Sequence, residues 1–288
     1  MLTVLATSTV IGLLHQKARH LGVVGVDALC PFGGIESLWA LLSAGVFIKR
    51  IAWGSVVLLG GAVALNLAVG RAFCGQFCPL GTLQEIFGSL RGRIGVRRRE
   101  VPAGLDIPAR MLKYAVFGIF TWLSWLFGTL VIRPYDPWAA YHHLTSPELF
   151  TEFGIGAAVL GVSLAGSFVY DRFFCKYLCP MGAFLALFSR LSWFRVTRVS
   201  GACVDCGACD KVCPVNIEVS GVESVVSDSE CIACALCVDA CPKAEALEIR
   251  GRRGGALSPL ALVGLTAAVM LGIVAVTTAL GLMGFTTK

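Results

Sequence analysis

Eight cysteines in two short runs constrain this chain more than any other feature. Cys203-x2-Cys206-x2-Cys209-x3-Cys213-Pro214 is followed by Cys231-x2-Cys234-x2-Cys237-x3-Cys241-Pro242. This is the spacing that holds two 4Fe–4S clusters. Three thiolates two residues apart can wrap a cubane from one tight loop, while the fourth, three residues on, crosses to the other cluster. Cys203, Cys206, Cys209 and Cys241 are thereby assigned to one cluster, and Cys231, Cys234, Cys237 and Cys213 to the other. Zinc also takes four thiolates, but it does not need two copies of a four-cysteine run each closed by proline.

Composition sets the surroundings. Of 288 residues, 56% are hydrophobic and only 15% charged, too apolar for a soluble domain of ordinary make-up. The 13 cysteines are unusual outside metal proteins. The net charge of +6 resides in particular loops and is not interleaved with aromatics, so it reports topology and no nucleic-acid surface.

Apolar runs at 51–70, 112–132, 151–170 and 257–283 are of membrane-spanning length, whereas 2–14 and 35–48 fall short of the ~20 residues a bilayer requires. Most Lys and Arg lie in the segments that carry cysteines, and the loop after Ile132 holds only Arg133. By the positive-inside rule the cysteine-rich segments face the cytoplasm of a prokaryotic inner membrane and residues 133–150 face the other side. That placement is reducing, which argues against disulfides. The expected fold is a polytopic α-helical membrane protein with a small α+β bacterial-ferredoxin-like insert. Residues 1–199 form its transmembrane domain, 200–250 a cytoplasmic two-cluster domain, and 251–288 a last transmembrane helix.

The segment before the cysteine-rich insert also contains a repeat. Residues 51–91 and 152–192 each read as an apolar helix, an Arg, Phe-Cys-x3-Cys-Pro-x-Gly and an amphipathic tail, at a constant offset of 101. Cys74 and Cys78 in one copy match Cys175 and Cys179 in the other, and Cys30-Pro-x-Gly is a partial third echo. Pro at a first helical position places Cys78 and Cys179 beside helix N-termini, whose partial positive charge favours thiolates. The four thiols then either share a third iron–sulfur cluster or act as redox thiols; simple packing as small apolar residues does not call for matched pairs. Copper handover is a further use for soft ligands. Beyond the cysteines, residues 135–152 bring Tyr135, Asp136, His142, His143, Glu148 and Glu152 together. Such groups serve as proton acceptors in quinol oxidation or simply form a solvated loop.

Two Cys-x3-Cys-Pro elements followed by two Cys-x2-Cys-x2-Cys-x3-Cys-Pro runs resemble the membrane polyferredoxin family that includes the NapH-type subunit of periplasmic nitrate reductase systems. The resemblance covers roughly residues 25–285. It implies a quinol-dehydrogenase-like role, with electrons passing between membrane quinone and the clusters and onward to a partner reductase, cytochrome or ferredoxin. The alternatives are an accessory factor that handles metal for a respiratory enzyme, or a redox-sensing membrane scaffold.

Overall fold

A computed structural model describes residues 2–17, 31–44, 53–96, 98–99, 101–243 and 245–280. Cys30, the third echo of the repeat, lies outside them. Helices α1 (Leu2–Lys17) and α2 (Pro31–Ala44) precede the first repeat, which comprises α3 (Trp53–Val69), a π turn (Phe73–Phe77) and α4 (Pro79–Arg93). The long α5 (Ala103–Phe127) leads through the short α6 (Pro137–His142) and α7 (Glu148–Thr151) to the second repeat, formed by α8 (Gly154–Val169), α9 (Phe173–Tyr177) and α10 (Pro180–Ser189). A cysteine-rich lobe follows, with β1 (Phe194–Arg198), α11 (Ala208–Val212), α12 (Leu236–Asp239), β2 (Leu247–Gly251) and β3 (Ala256–Leu257). Helix α13 (Pro259–Ala279) comes last.

The expectation of a polytopic membrane fold is not met. Among the described residues only α13 is long and apolar enough to cross a bilayer. The other runs are cut short by the elements they lead into. Helix α3 has 17 residues and ends at Gly70, whose φ is 71°, and α8 has 16 residues. At 1.5 Å per residue they reach about 26 and 24 Å, less than the ~30 Å hydrocarbon core. Helix α5 has 25 residues, but its first half carries Asp106, Arg110 and Lys113. These side chains are committed to polar contacts: Arg110 Nη2 donates to Val215 O (2.9 Å) and Lys113 pairs with Glu230.

The repeats pack crosswise, α10 on α3 and α4 on α8. Asn66 Nδ2 of α3 donates to Leu185 O of α10 at 2.8 Å, and Ser167 Oγ of α8 donates to Gln84 Oε1 of α4 at 3.0 Å. The offset of 101 turns Asn66 into Ser167 and Gln84 into Leu185. These are therefore the same contact made twice, the mark of a pseudo-twofold.

The lobe is held at its base by an antiparallel sheet in the order β1-β2-β3, with Phe194 opposite Gly251 and Arg198 opposite Leu247. The chain thus enters and leaves the lobe at one place. Its buried Val196, Val215, Ile217, Val226, Ile232 and Ile249 are continuous with Leu65, Val69, Leu185 and Leu262 of the helices. A lobe with so few large apolar residues shares a core with the helices, because it cannot bury enough surface alone.

Candidate metal centres

In the lobe the two runs interdigitate. One cavity is lined by Cys203, Cys206, Cys209 and Cys241, and a second by Cys213, Cys231, Cys234 and Cys237. Non-glycine residues adopt positive φ inside both loops, namely Asp205, Ala233 and Ala235, and turn the backbone tightly around each space. Ile217 N lies 3.4 Å from Cys213 Sγ, the kind of N–H to sulfur contact that tunes a cluster. Among the described residues no three His, Cys, Asp or Glu side chains converge closely enough to hold a single metal ion. The two centres also differ in exposure: Cys206 is exposed, while the Ile232 and Ala235 of the second loop are buried.

The crosswise packing brings Cys74, Cys78, Cys175 and Cys179 together. Burial first, and then charge on Cys175 and Cys74, push the Cys78 thiol up to about 12. Burial likewise pushes Cys179 well up, with Cys175, Cys74 and Cys78 adding to it. This corrects the expectation that helix N-termini poise these groups as thiolates: desolvation outweighs the partial charge of a helix end. Buried thiols of this kind are inert unless a metal displaces the proton. Two polar donors are set for sulfur. Gln84 Nε2 lies 3.3 Å from Cys175 Sγ, and Gly182 N lies 3.3 Å from Cys179 Sγ.

Two buried arginines complete this site. Arg71 and Arg172, each three residues before the first cysteine of its repeat, are 1% and 2% exposed. Each guanidinium reaches into the Cys-Pro-x-Gly turn of the other repeat. A Cβ added at Gly182 would lie 2.9 Å from Arg71 Nη2, and one at Gly81 would lie 3.0 Å from Arg172 Nη1. Arg172 donates to Cys74 O (2.7 Å) and Gly75 O (3.1 Å) and pairs with Glu85 at 2.8 Å. Arg71 donates to Ser229 O (3.1 Å) and pairs with Glu230 at 3.4 Å, and Glu230 also pairs with the buried Lys113. Burial works to raise the Glu230 carboxyl, but Arg71 and Lys113 prevail and hold it below the usual carboxylate range.

The π turn of the first repeat seats directly on the loop of the second lobe centre. Gln76 Nε2 donates to Ala233 O at 3.0 Å, and a Cβ at Gly75 would lie 2.2 Å from Ile232 O. The matching positions of the second repeat, Lys176 and Tyr177, both turn to Asp106 of α5, Lys176 at 3.2 Å, and Lys176 reaches the lobe at Asn216 Oδ1, 3.3 Å away, and not at the loop of Ile232 and Ala233. The pseudo-twofold thus holds for the thiols and breaks at the docking surface.

The polar residues after Ile132 form no open loop. His142 and His143 are 5% and 3% exposed. His142 meets the Trp138 ring edge-on at 4.2 Å, and His143 stacks on Phe153 at 4.2 Å with Glu148 3.6 Å away. Arg133 pairs with Glu152 at 2.8 Å and lies over Phe153, and Asp136 caps α6 by accepting from Trp138 N at 2.9 Å. Tyr135 packs on Phe120 with centroids 5.6 Å apart. Sequence reasoning passed over Glu36, fully buried and bonded to Ser124 Oγ at 2.5 Å, and the charged group of Arg71, Lys113 and Glu230. For the last group the signal was present: an Arg at the same place in both repeats, and a Lys within an otherwise apolar stretch.

Comparison with known proteins agrees with this layout. A family model described as a 4Fe-4S binding domain matches twice, over residues 51–97 and 153–198, and a 4Fe-4S dicluster domain matches residues 195–242. YccM of Escherichia coli is 31% identical over 77% of this chain, which spans 63% of that protein's length. An uncharacterized protein of Methanocaldococcus jannaschii is 31% identical over 75% of this chain and 84% of its own. The ferredoxin-type protein NapH of Haemophilus influenzae is 26% identical over 70% of this chain and 71% of its own. No solved structure matches the chain.

Proposed function

Since the chain belongs to the family of ferredoxin-type 4Fe-4S proteins that includes NapH, we propose that it carries electrons along a row of three iron–sulfur clusters. Iron–sulfur electron transfer is what the family's domains and names have in common. The number and order of the clusters are our reading. Each copy of the repeated 4Fe-4S domain supplies only two thiols. One cubane shared across the pseudo-twofold, on Cys74, Cys78, Cys175 and Cys179, gives both copies a cluster. When bound, each cluster supplies one-electron chemistry, and the protein sets spacing, burial and hydrogen bonds.

One observation carries the order: Gly75 and Gln76 lie against Ile232 and Ala233, with Gln76 bonded to Ala233 O at 3.0 Å. The row runs from the four-thiol site, through the centre of Cys213, Cys231, Cys234 and Cys237, to that of Cys203, Cys206, Cys209 and Cys241, whose exposed Cys206 offers the outlet to a redox protein. The inner end, beside apolar helices, suits a quinone as the other redox partner. We place the lobe on the cytoplasmic side of a prokaryotic inner membrane, because Arg250, Arg252 and Arg253 lie just before α13, which among the described residues is the helix long and apolar enough to enter lipid. Metal handover is disfavoured by burial, since Cys74 and Cys175 are each 8% exposed.

A short-chain hydroquinone added to anaerobic protein should bleach the visible cluster absorbance. Cys74→Ser with Cys179→Ser should abolish that bleaching while dithionite still reduces the lobe clusters. Equal bleaching by hydroquinone in the double variant would refute the inner entry point.

A further inference from the structure

We propose that Arg71 and Arg172 are paired countercharges that set the reduction potential of the four-thiol cluster, with Arg172 acting on the adjoining lobe cluster as well. The proposal rests on the reading of the four thiols as one shared site. A cubane on four thiolates is a net anion and becomes more so on taking an electron, and net charge and hydrogen bonds to sulfur are the levers on its potential. Buried without cations, such a group would favour the oxidised form.

The structure supplies the cations. Arg71 lies within electrostatic reach of Cys74 and Cys179, and its Nη2 stands 2.9 Å from where a Cβ on Gly182, in the turn of Cys179, would lie. Arg172 bonds Cys74 O and Gly75 O, and a Cβ on Gly75 would lie 3.2 Å from Cys234 N, so this guanidinium stands beside the second lobe centre as well as the four-thiol site. Neither charge is cancelled locally. Arg71 shares its single carboxylate, Glu230, with Lys113, and that group of three keeps one positive charge. Glu85, the partner of Arg172, has 42% of its side chain in solvent, which screens it. The Nε atoms of both arginines are buried and lack a hydrogen-bond partner among the described residues. Buried donors rarely go unpaired, and cluster sulfur is an acceptor that would satisfy them. One electron enters with no bond made or broken and no proton taken up. The cations stabilise the reduced state more than the oxidised one, so the potential rises.

The test is an anaerobic redox titration of the whole reconstituted chain, with mediator dyes and dithionite, followed by electron paramagnetic resonance. In Arg71→Gln the reduced-to-oxidised ratio of the four-thiol cluster at fixed potential should fall at least tenfold, about 59 mV for one electron, with the cluster of Cys203, Cys206, Cys209 and Cys241 unmoved. In Arg172→Gln the four-thiol cluster and its lobe neighbour should both fall, and the cluster of Cys203 should stay. Arg71→Lys should restore most of the shift. Should a Gln variant lose iron, Gly182→Ala and Gly81→Ala displace the same guanidiniums without removing them and should lower the same signals by less. Three clusters with unshifted potentials in all variants would overturn the proposal and leave the shared cluster standing. Absence of a third cluster in the unaltered protein would remove both.

Discussion

At the scale of single residues, the chain concentrates its charge where it has least water. Arg71, Lys113 and Glu230 form a buried group at the junction of the first repeat, α5 and the lobe. Removing one member of such a group leaves an uncompensated charge, which costs about 3–5 kcal/mol. Glu230→Gln should therefore destabilise the protein by that order at neutral pH, measured by chemical unfolding. Its folded carboxyl sits below the usual range, so the ionised form contributes stability above the unfolded value and loses it as pH falls through the folded one. The difference between the two proteins should accordingly be full at neutral pH and shrink only below about pH 4. A difference that grew on acidification would contradict the pairing. The grouping of the eight lobe cysteines into two crossed sets of four was legible in the sequence, because the spacing of each run sends its fourth cysteine to the other set. Glu230 was not, because a lone Glu before a cysteine run does not announce partners more than a hundred residues away.

At the scale of elements, one π turn joins the repeat to the lobe. Gly75 has no room for a side chain, since Ile232 O would lie 2.2 Å from its Cβ. Gly75→Ala should cost about 1–3 kcal/mol through overpacking and raise hydrogen exchange across residues 231–237. Gly92→Ala in α4, with nothing within 4 Å, is the control and should leave that exchange unchanged. Equal exchange in both variants would mean that the turn does not seat the loop. The repeat could be read from matched Arg, Phe, Cys and Gly positions, and its crosswise packing follows from it. The break in symmetry could not, because Gly75 and Gln76 differ from Lys176 and Tyr177 without indicating that the first pair seats on the loop of Ile232 and Ala233 while the second turns to Asp106 and Asn216. Membrane topology is not legible for a related reason: the apolar runs have spanning length in the sequence, but the helices end where the cysteine elements begin, and α5 gives its first half to Asp106, Arg110 and Lys113.

At the scale of the whole molecule, helices and lobe share one core, and the proposed electron path from the four-thiol site to the exposed Cys206 requires iron at all three sets of thiols. The most direct measurement is iron and acid-labile sulfide per chain in protein purified without oxygen. About twelve of each are expected, falling to about eight in the Cys74→Ser, Cys179→Ser variant. About eight in the unaltered protein, with no change in the variant, would contradict the shared third cluster and the electron path built on it.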